Sequence, residues 1–163
     1  MDPFEHALNR HLAPRLRGAG FTRRGSTWSR RRGFFVHQVN LQRSQTNSPL
    51  DSRFTINLAA TLNVAGAAAG RMVLEDDWVS RLDRALRPLR IGRLRPGGQD
   101  HWYRYRPGDP ASVEAALQAA TADLEAYGLP HLDAAPGPRR FGLALMIVPA
   151  ERLWRRVRPS RPR

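Results

Sequence analysis

Cysteine is absent from this chain, and so is lysine. Without cysteine there is no disulfide framework, no thiolate zinc site and no cysteine nucleophile. Without lysine, all 27 basic residues are arginine. Beside many Ala, Gly and Pro, that choice reads as the codon bias of a GC-rich genome rather than as chemistry. A long apolar run is also lacking. The longest candidate, Phe141 to Val148, is far too short to cross a bilayer, so no membrane association is expected. The opening Met-Asp-Pro-Phe-Glu has no basic region leading into an apolar stretch. No secretory signal is expected, and the expected compartment is the cytoplasm. Catalytic motifs are missing as well: there is no Gly-x-Ser-x-Gly elbow, no phosphate loop and no dinucleotide fingerprint. His6 and His11 are five apart, off the spacing that sets two ligands on one helical face, and His37, His101 and His131 are scattered. No metal, cofactor or catalytic residue is expected.

What is present is positive charge, and its layout is uneven. The formal net charge is +13 over 163 residues. Residues 1–50 carry a net +7, residues 51–137 a net −1, and residues 138–163 a net +7. A balanced middle lies between two basic ends. Codon bias explains arginine in place of lysine, but not an excess of base over acid, and such an excess attracts polyanions and acidic partners.

The element pattern is that of an α+β chain. Asp2 as cap, Pro3 at the first helical position and Glu5 three residues after Asp2 predict a capping box, and Phe4, Leu8, Leu12 and Leu16 recur at helical spacing. Pro14 is placed to bend this helix, and Gly18 or Gly20 to end it. Strands are expected at Thr27–Arg31, Phe34–Ser44 and Arg53–Asn63, with a turn at Arg32-Gly33 and a polar loop at Gln45–Ser52. Further on, Glu75, Asp76 and Asp77 precede a short amphipathic helix on Trp78, Leu82 and Leu86 that Pro88 ends. Arg90–Leu94 and His101–Tyr105 read as strands about a Pro96-Gly97-Gly98 turn. A second main helix opens at Asp109-Pro110 and buries Val113, Ala116, Leu117, Ala120 and Leu124 up to Gly128. Phe141–Val148 is a buried strand or helix, and Glu151–Val157 can form one or two helical turns. The architecture expected is one α+β domain over residues 1–150: an antiparallel meander of about four to five strands, packed on one face by two main helices. Residues 151–163 are expected to be a basic, frayed or disordered tail.

If the two long strands pair across the polar loop, facing residues sum to about 97 in number. Leu41 then faces Ile56 and Val39 faces Leu58, with Phe35 and His37 on the same face. The other face carries Gln38, Asn40, Gln42, Thr55 and Asn57. This polar face is either a solvated exterior or the wall of a cleft, where side-chain amides hydrogen-bond a ligand or a partner backbone.

The order of these features resembles a bacterial family of unknown function, the one numbered 4304. The residues that carry the likeness are Gly20-Phe21 followed by Trp28, Val39-Asn40-Leu41-Gln42 with Ser44, Phe54-Thr55-Ile56-Asn57-Leu58, Arg90-Ile91-Gly92-Arg93-Leu94, and Asp100 ahead of Trp102-Tyr103. It spans roughly residues 8 to 135. Trp102-Tyr103 stands where the pattern has two tryptophans, and the basic tail is no part of it. The resemblance implies the α+β meander and brings no activity with it.

Three functional readings follow. A compact domain without catalytic residues fits a protein-interaction module of adaptor, inhibitor or toxin-neutralising type, with an arginine-rich surface meeting a protein partner of acidic character. Nucleic-acid binding rests on two clusters, Arg23, Arg24, Arg30, Arg31 and Arg32 in the first hairpin and Arg152, Arg155, Arg156 and Arg158 at the end, with Trp28 or Phe34 to stack on bases if exposed. A small-anion pocket near Asp100 and Trp102 would use Arg90 or Arg93 as its clamp, with Asn40, Gln42 and Asn57 as polar lining. Its plainer counterpart is an Asp100–Arg pair bracing a turn, with Trp102 in the core.

Overall fold

A computed structural model describes residues 2–32, 35–62 and 88–134. The expectations for Arg32-Gly33 as a turn, for the helix after Glu75, for Phe141–Val148 and for the tail lie wholly or partly outside these residues.

Helix α1 spans Pro3–Gly18, and Asp2 caps it by accepting the Phe4 N–H at 3.1 Å. Glu5 closes no capping box; its carboxylate turns to Arg23 instead. The helix continues through Pro14 and buries Phe4, Ala7, Leu8, Leu12, Ala13 and Leu16. Its exit is a Schellman turn. The Phe21 N–H reaches the Leu16 carbonyl, the Gly20 N–H reaches the Arg17 carbonyl, and Gly20 takes φ +83°, a conformation that penalises any residue with a Cβ.

Six strands then form one antiparallel sheet: β1 Thr22–Arg24, β2 Thr27–Arg32, β3 Phe35–Arg43, β4 Ser52–Leu62, β5 Leu89–Arg90 and β6 Tyr103–Tyr105. The order is β1-β2-β3-β4, and β5 and β6 both pair with the far edge of β4, at Asn57–Leu58 and Ser52–Phe54 respectively. The β3–β4 register matches the expectation: Leu41 faces Ile56, Val39 faces Leu58, Asn40 faces Asn57 and Gln42 faces Thr55. Residues 90–94 depart from it. Only Leu89–Arg90 pairs, and Ile91–Leu94 forms a 3₁₀ turn, because Gly92 nests directly against the backbone of Gln99 and His101. The return strand shrinks to Tyr103–Tyr105 for the same reason.

Helix α2, Pro110–Asp123, starts where Asp109 accepts from the Ala111 and Ser112 N–H groups. It passes through one π turn at Leu124–Gly128 into a short α3, Leu129–Ala134. α1 and α2 pack on each other and on one face of the sheet. The core between them holds Trp28, Val39, Leu41, Phe54, Ile56, Leu58 and Ile91 from the sheet side, with Leu8, Leu12, Leu16, Val113, Leu117 and Leu124 from the helices. The chain is therefore an α+β fold with two main helices on one side of a sheet, and among the described residues no helix packs on the other side.

Candidate functional site

Strand periodicity decides which residues that open side displays. Trp28, Val39, Leu41, Phe54, Ile56, Leu58, Tyr103 and Tyr105 are buried in the core with the helices, and Phe35 is buried on the same side of its strand. Their sequence neighbours must point the other way. One lateral row crosses five strands in register: Arg24 faces Thr27, Thr27 faces Asn40, Asn40 faces Asn57, and Asn57 faces Arg90. The middle of the row is joined by side chains. The Asn40 amide donates to the Thr27 hydroxyl at 2.9 Å, and the Asn57 amide donates to Asn40 Oδ1 at 3.4 Å and to Gln42 Oε1 at 2.9 Å. With four inter-strand steps of about 4.8 Å, the two terminal arginines are rooted roughly 19 Å apart.

Trp102 lies beside this row. It is half-buried on the open side rather than in the core, because the 99–102 segment crosses over β4 at Thr55, whose hydroxyl donates to the His101 carbonyl at 2.9 Å. Thr55 is fully buried beneath that crossing, so one end of the polar face is roofed, and no other described segment crosses it. Arg53 and Arg90 place their guanidinium carbons 5.4 and 5.0 Å from the Trp102 ring centre. Asp100 ties the group together, taking Arg90 at 2.5 Å and the Trp102 indole N–H at 3.2 Å. The Asp100–Arg pair expected to brace a turn is present. Arg93 turns back to the Gly98 carbonyl at 3.1 Å and takes no part.

The first-hairpin arginines do not form one patch. Arg23 points to the helix side, over the Trp28 ring and onto Glu5. Arg30 lies over Phe21, donates to the Ala19 carbonyl at 2.9 Å and shares Asp133 with Arg32. Next to it His37 is buried with Nδ1 accepting from Arg30, and burial and then the Arg30 charge hold its pKa down. Only Arg24 and Arg31 face the open side, exposed and without an ion pair among the described residues. Trp28 is 2% exposed and unavailable to a base. Arg152, Arg155, Arg156, Arg158 and Phe34 lie outside the described residues.

Charge pairing sorts largely by side, although Arg17 on α1, Arg93 and Arg106 also have no carboxylate partner among the described residues. On the helix side and at the edges, Arg10, Arg15, Arg23, Arg30, Arg32, Arg43 and Arg95 each meet a carboxylate. The open face carries Arg24, Arg31, Arg53, Arg90 and Arg104, and of these only Arg90 has an acidic partner among the described residues. Sequence reasoning missed Arg53 and Arg104; the alternation of β4 was the available signal for the first. Clefts of 280 and 570 Å³ lie elsewhere, both against Asp2, Phe4 and Arg43 at the start of α1, where Arg43 covers the Phe4 ring at 4.2 Å.

The five-strand polar row runs through the segments Val39–Gln42, Phe54–Leu58 and Arg90–Leu94. Residues 12–134 match the family described as Domain of unknown function (DUF4304). The chain belongs to that family. No curated protein and no solved structure matches it. The DUF4304 match covers β1 to α3 and the last two turns of α1, so the open face lies wholly inside the family region.

Proposed function

We propose that this DUF4304 domain is a non-catalytic interaction module that docks an acidic protein partner on the open face of its sheet. The observation that carries the reading is the sorting of charge: seven arginines on the helix side and at the edges pair with carboxylates, whereas Arg24, Arg31, Arg53 and Arg104, grouped on the open face, have none among the described residues and can meet an external anion. Between them the Thr27–Asn40–Asn57–Gln42 chain supplies fixed amide and hydroxyl groups that complement polar side chains or backbone. Such a surface speeds encounter through its field and selects by its hydrogen-bond pattern. Single-stranded nucleic acid is less well served. Stacking needs a free aromatic face, and on this side Trp102 already stands beside two guanidinium groups.

The test compares the native chain with an Arg24→Glu/Arg31→Glu/Arg104→Glu variant. A partner captured on the native chain is purified and titrated against both, in parallel with a single-stranded and a duplex oligonucleotide. Saturable binding of an acidic protein, weakened at least tenfold in the variant, supports the proposal. Equal affinity for both chains overturns it. So does tighter binding of an oligonucleotide with a steep salt dependence, which would make nucleic acid the ligand.

A further inference from the structure

The pairing of β6 with β4 sets Arg53 directly opposite Arg104. Their neighbours on both strands, Ser52 opposite Tyr105 and Phe54 opposite Tyr103, are buried on the helix side, so both arginines stand on the open face. Residues facing each other in an antiparallel pair have Cβ atoms about 5 Å apart, and like charges there repel. Elsewhere in this sheet an inward arginine is answered by a carboxylate, as Arg30 and Arg32 are by Asp133. Arg53 and Arg104 are not so answered among the described residues, and the nearby Asp100 is committed to Arg90.

Arg53 is nonetheless held in place. Its backbone N–H donates to Asn47 Oδ1 at 2.9 Å, and its carbonyl accepts from the Ser44 N–H at 3.0 Å and from the Asn47 amide at 3.2 Å. Its guanidinium rests by Trp102 and donates to the hydroxyls of Ser44 and Thr46 at 3.4 and 3.3 Å. The contacts that position this cation leave its charge uncompensated. Two arginines rooted opposite each other on a strand pair can present two guanidinium forks to the two oxygens of one oxyanion.

We infer that Arg53 and Arg104 form an oxyanion clamp at the β4–β6 edge of the open face, and that it takes an aspartate or glutamate carboxylate of the docked partner. The inference rests on the docking reading above and narrows it to one anchor. It also moves the anion site from Arg90 and Arg93 to the β4–β6 strand pair.

The experiment follows the arginine Nε–Hε signals by NMR while hexaglutamate and inorganic phosphate are titrated separately. Signals from Arg53 and Arg104 are expected to shift saturably with hexaglutamate, whose affinity falls about tenfold or more in Arg53→Gln and in Arg104→Gln. Arg17→Gln, on the exposed surface of α1, leaves the affinity unchanged. Each open-face variant is also expected to melt higher than the native chain at low salt, since one of two repelling charges is gone; this shows that the variant folds. Phosphate binding more tightly than hexaglutamate at these two signals overturns the carboxylate assignment. Hexaglutamate shifting Arg24 and Arg31 while leaving Arg53 and Arg104 still overturns the clamp and leaves the docking face standing. No shift at any open-face arginine overturns both.

Discussion

The side-chain amide of Asn57 donates to the Gln42 side-chain carbonyl at 2.9 Å, and its second hydrogen reaches Asn40 at 3.4 Å. One residue thereby fixes the orientation of two others on the open face. All three are partly in contact with water, which can replace lost partners at little cost. Asn57→Ala is therefore expected to cost no more than about 1 kcal/mol of stability, while weakening partner binding about tenfold because Asn40 and Gln42 lose their alignment. Urea unfolding and a partner titration on the same preparation measure the two effects. A stability loss of several kcal/mol would make the row part of the scaffold instead.

Arg30 is the opposite kind of arginine. Its side chain is 12% exposed, and it spans Ala19, Phe21, His37 and Asp133, linking the end of α1 to β3 and α3. Arg30→Ala leaves the Ala19 carbonyl and the His37 ring nitrogen without this donor, and the expected loss is about 2 kcal/mol. Arg31→Ala, one position along and facing outward, is expected to change stability by less than about 0.5 kcal/mol. Chemical denaturation of the two variants checks the contrast. Equal effects would mean that the two sides of β2 are not differentiated as described.

The same pair shows where the sequence was legible. Alternation of Val39 and Leu41 with Asn40 and Gln42, and of Ile56 and Leu58 with Thr55 and Asn57, was enough to set the β3–β4 register, because one buried face leaves no freedom to slip. Asp2-Pro3 and Asp109-Pro110 marked both main helices, whose caps form at Phe4 and at Ala111 and Ser112. Strand β1 went unread: Thr22, Arg23 and Arg24 are all exposed, so no apolar period marks them. Arg30 to Arg32 looked like one patch because the acid that divides them, Asp133, is 103 positions from Arg30. The plainer of the two readings set Trp102 in the core. Only the crossing of residues 99–102 over Thr55 sets it on the open side, and the three-residue pairing that brings Arg104 to Arg53 leaves no local signal at all.

Stability is expected to fall in two stages as the medium is acidified. Burial holds His37 below its ordinary 6.5, with the Arg30 charge second; burial also lowers His101, with Arg95 second, and His131. Below about pH 6.5 these histidines take up protons in the unfolded chain before they do so in the folded one. The unfolded state then binds more protons, and stability declines through that window. Glu114 is held below its ordinary 4.5, chiefly by its hydrogen bond with His11, so its contribution is present above that value and lost as the pH falls through the region beneath it. The free energy of unfolding should be level between about pH 7 and 8, decline below about 6.5 and decline again below about 4.5. His37→Gln, which keeps an acceptor for Arg30 and removes the titration, is expected to flatten the first decline. An unchanged slope in that variant would remove His37 from the account.

A side chain at position 92 has nowhere to go. A Cβ there would stand 2.5 Å from the Gln99 carbonyl oxygen and the His101 nitrogen, and 2.7 Å from the His101 Cβ. Backbone atoms cannot rotate aside as the tip of a side chain can. Gly92→Ala must push the 99–101 segment outward, and that segment carries the His101 carbonyl bonded to Thr55 and the Asp100 that ties Arg90 to Trp102. The expected cost is about 2 to 3 kcal/mol, in the range for overpacking, together with a displaced Trp102 indole N–H signal. Gly128→Ala is the control. Its added Cβ meets only the movable Leu124 Cδ1 within 3 Å, and alanine favours the helical backbone there. It should cost less and leave the indole signal in place. If Gly92→Ala behaved like Gly128→Ala, the 3₁₀ turn could not be what holds Trp102 on the open face, and the arrangement of Arg53, Trp102 and Arg90 would need another support.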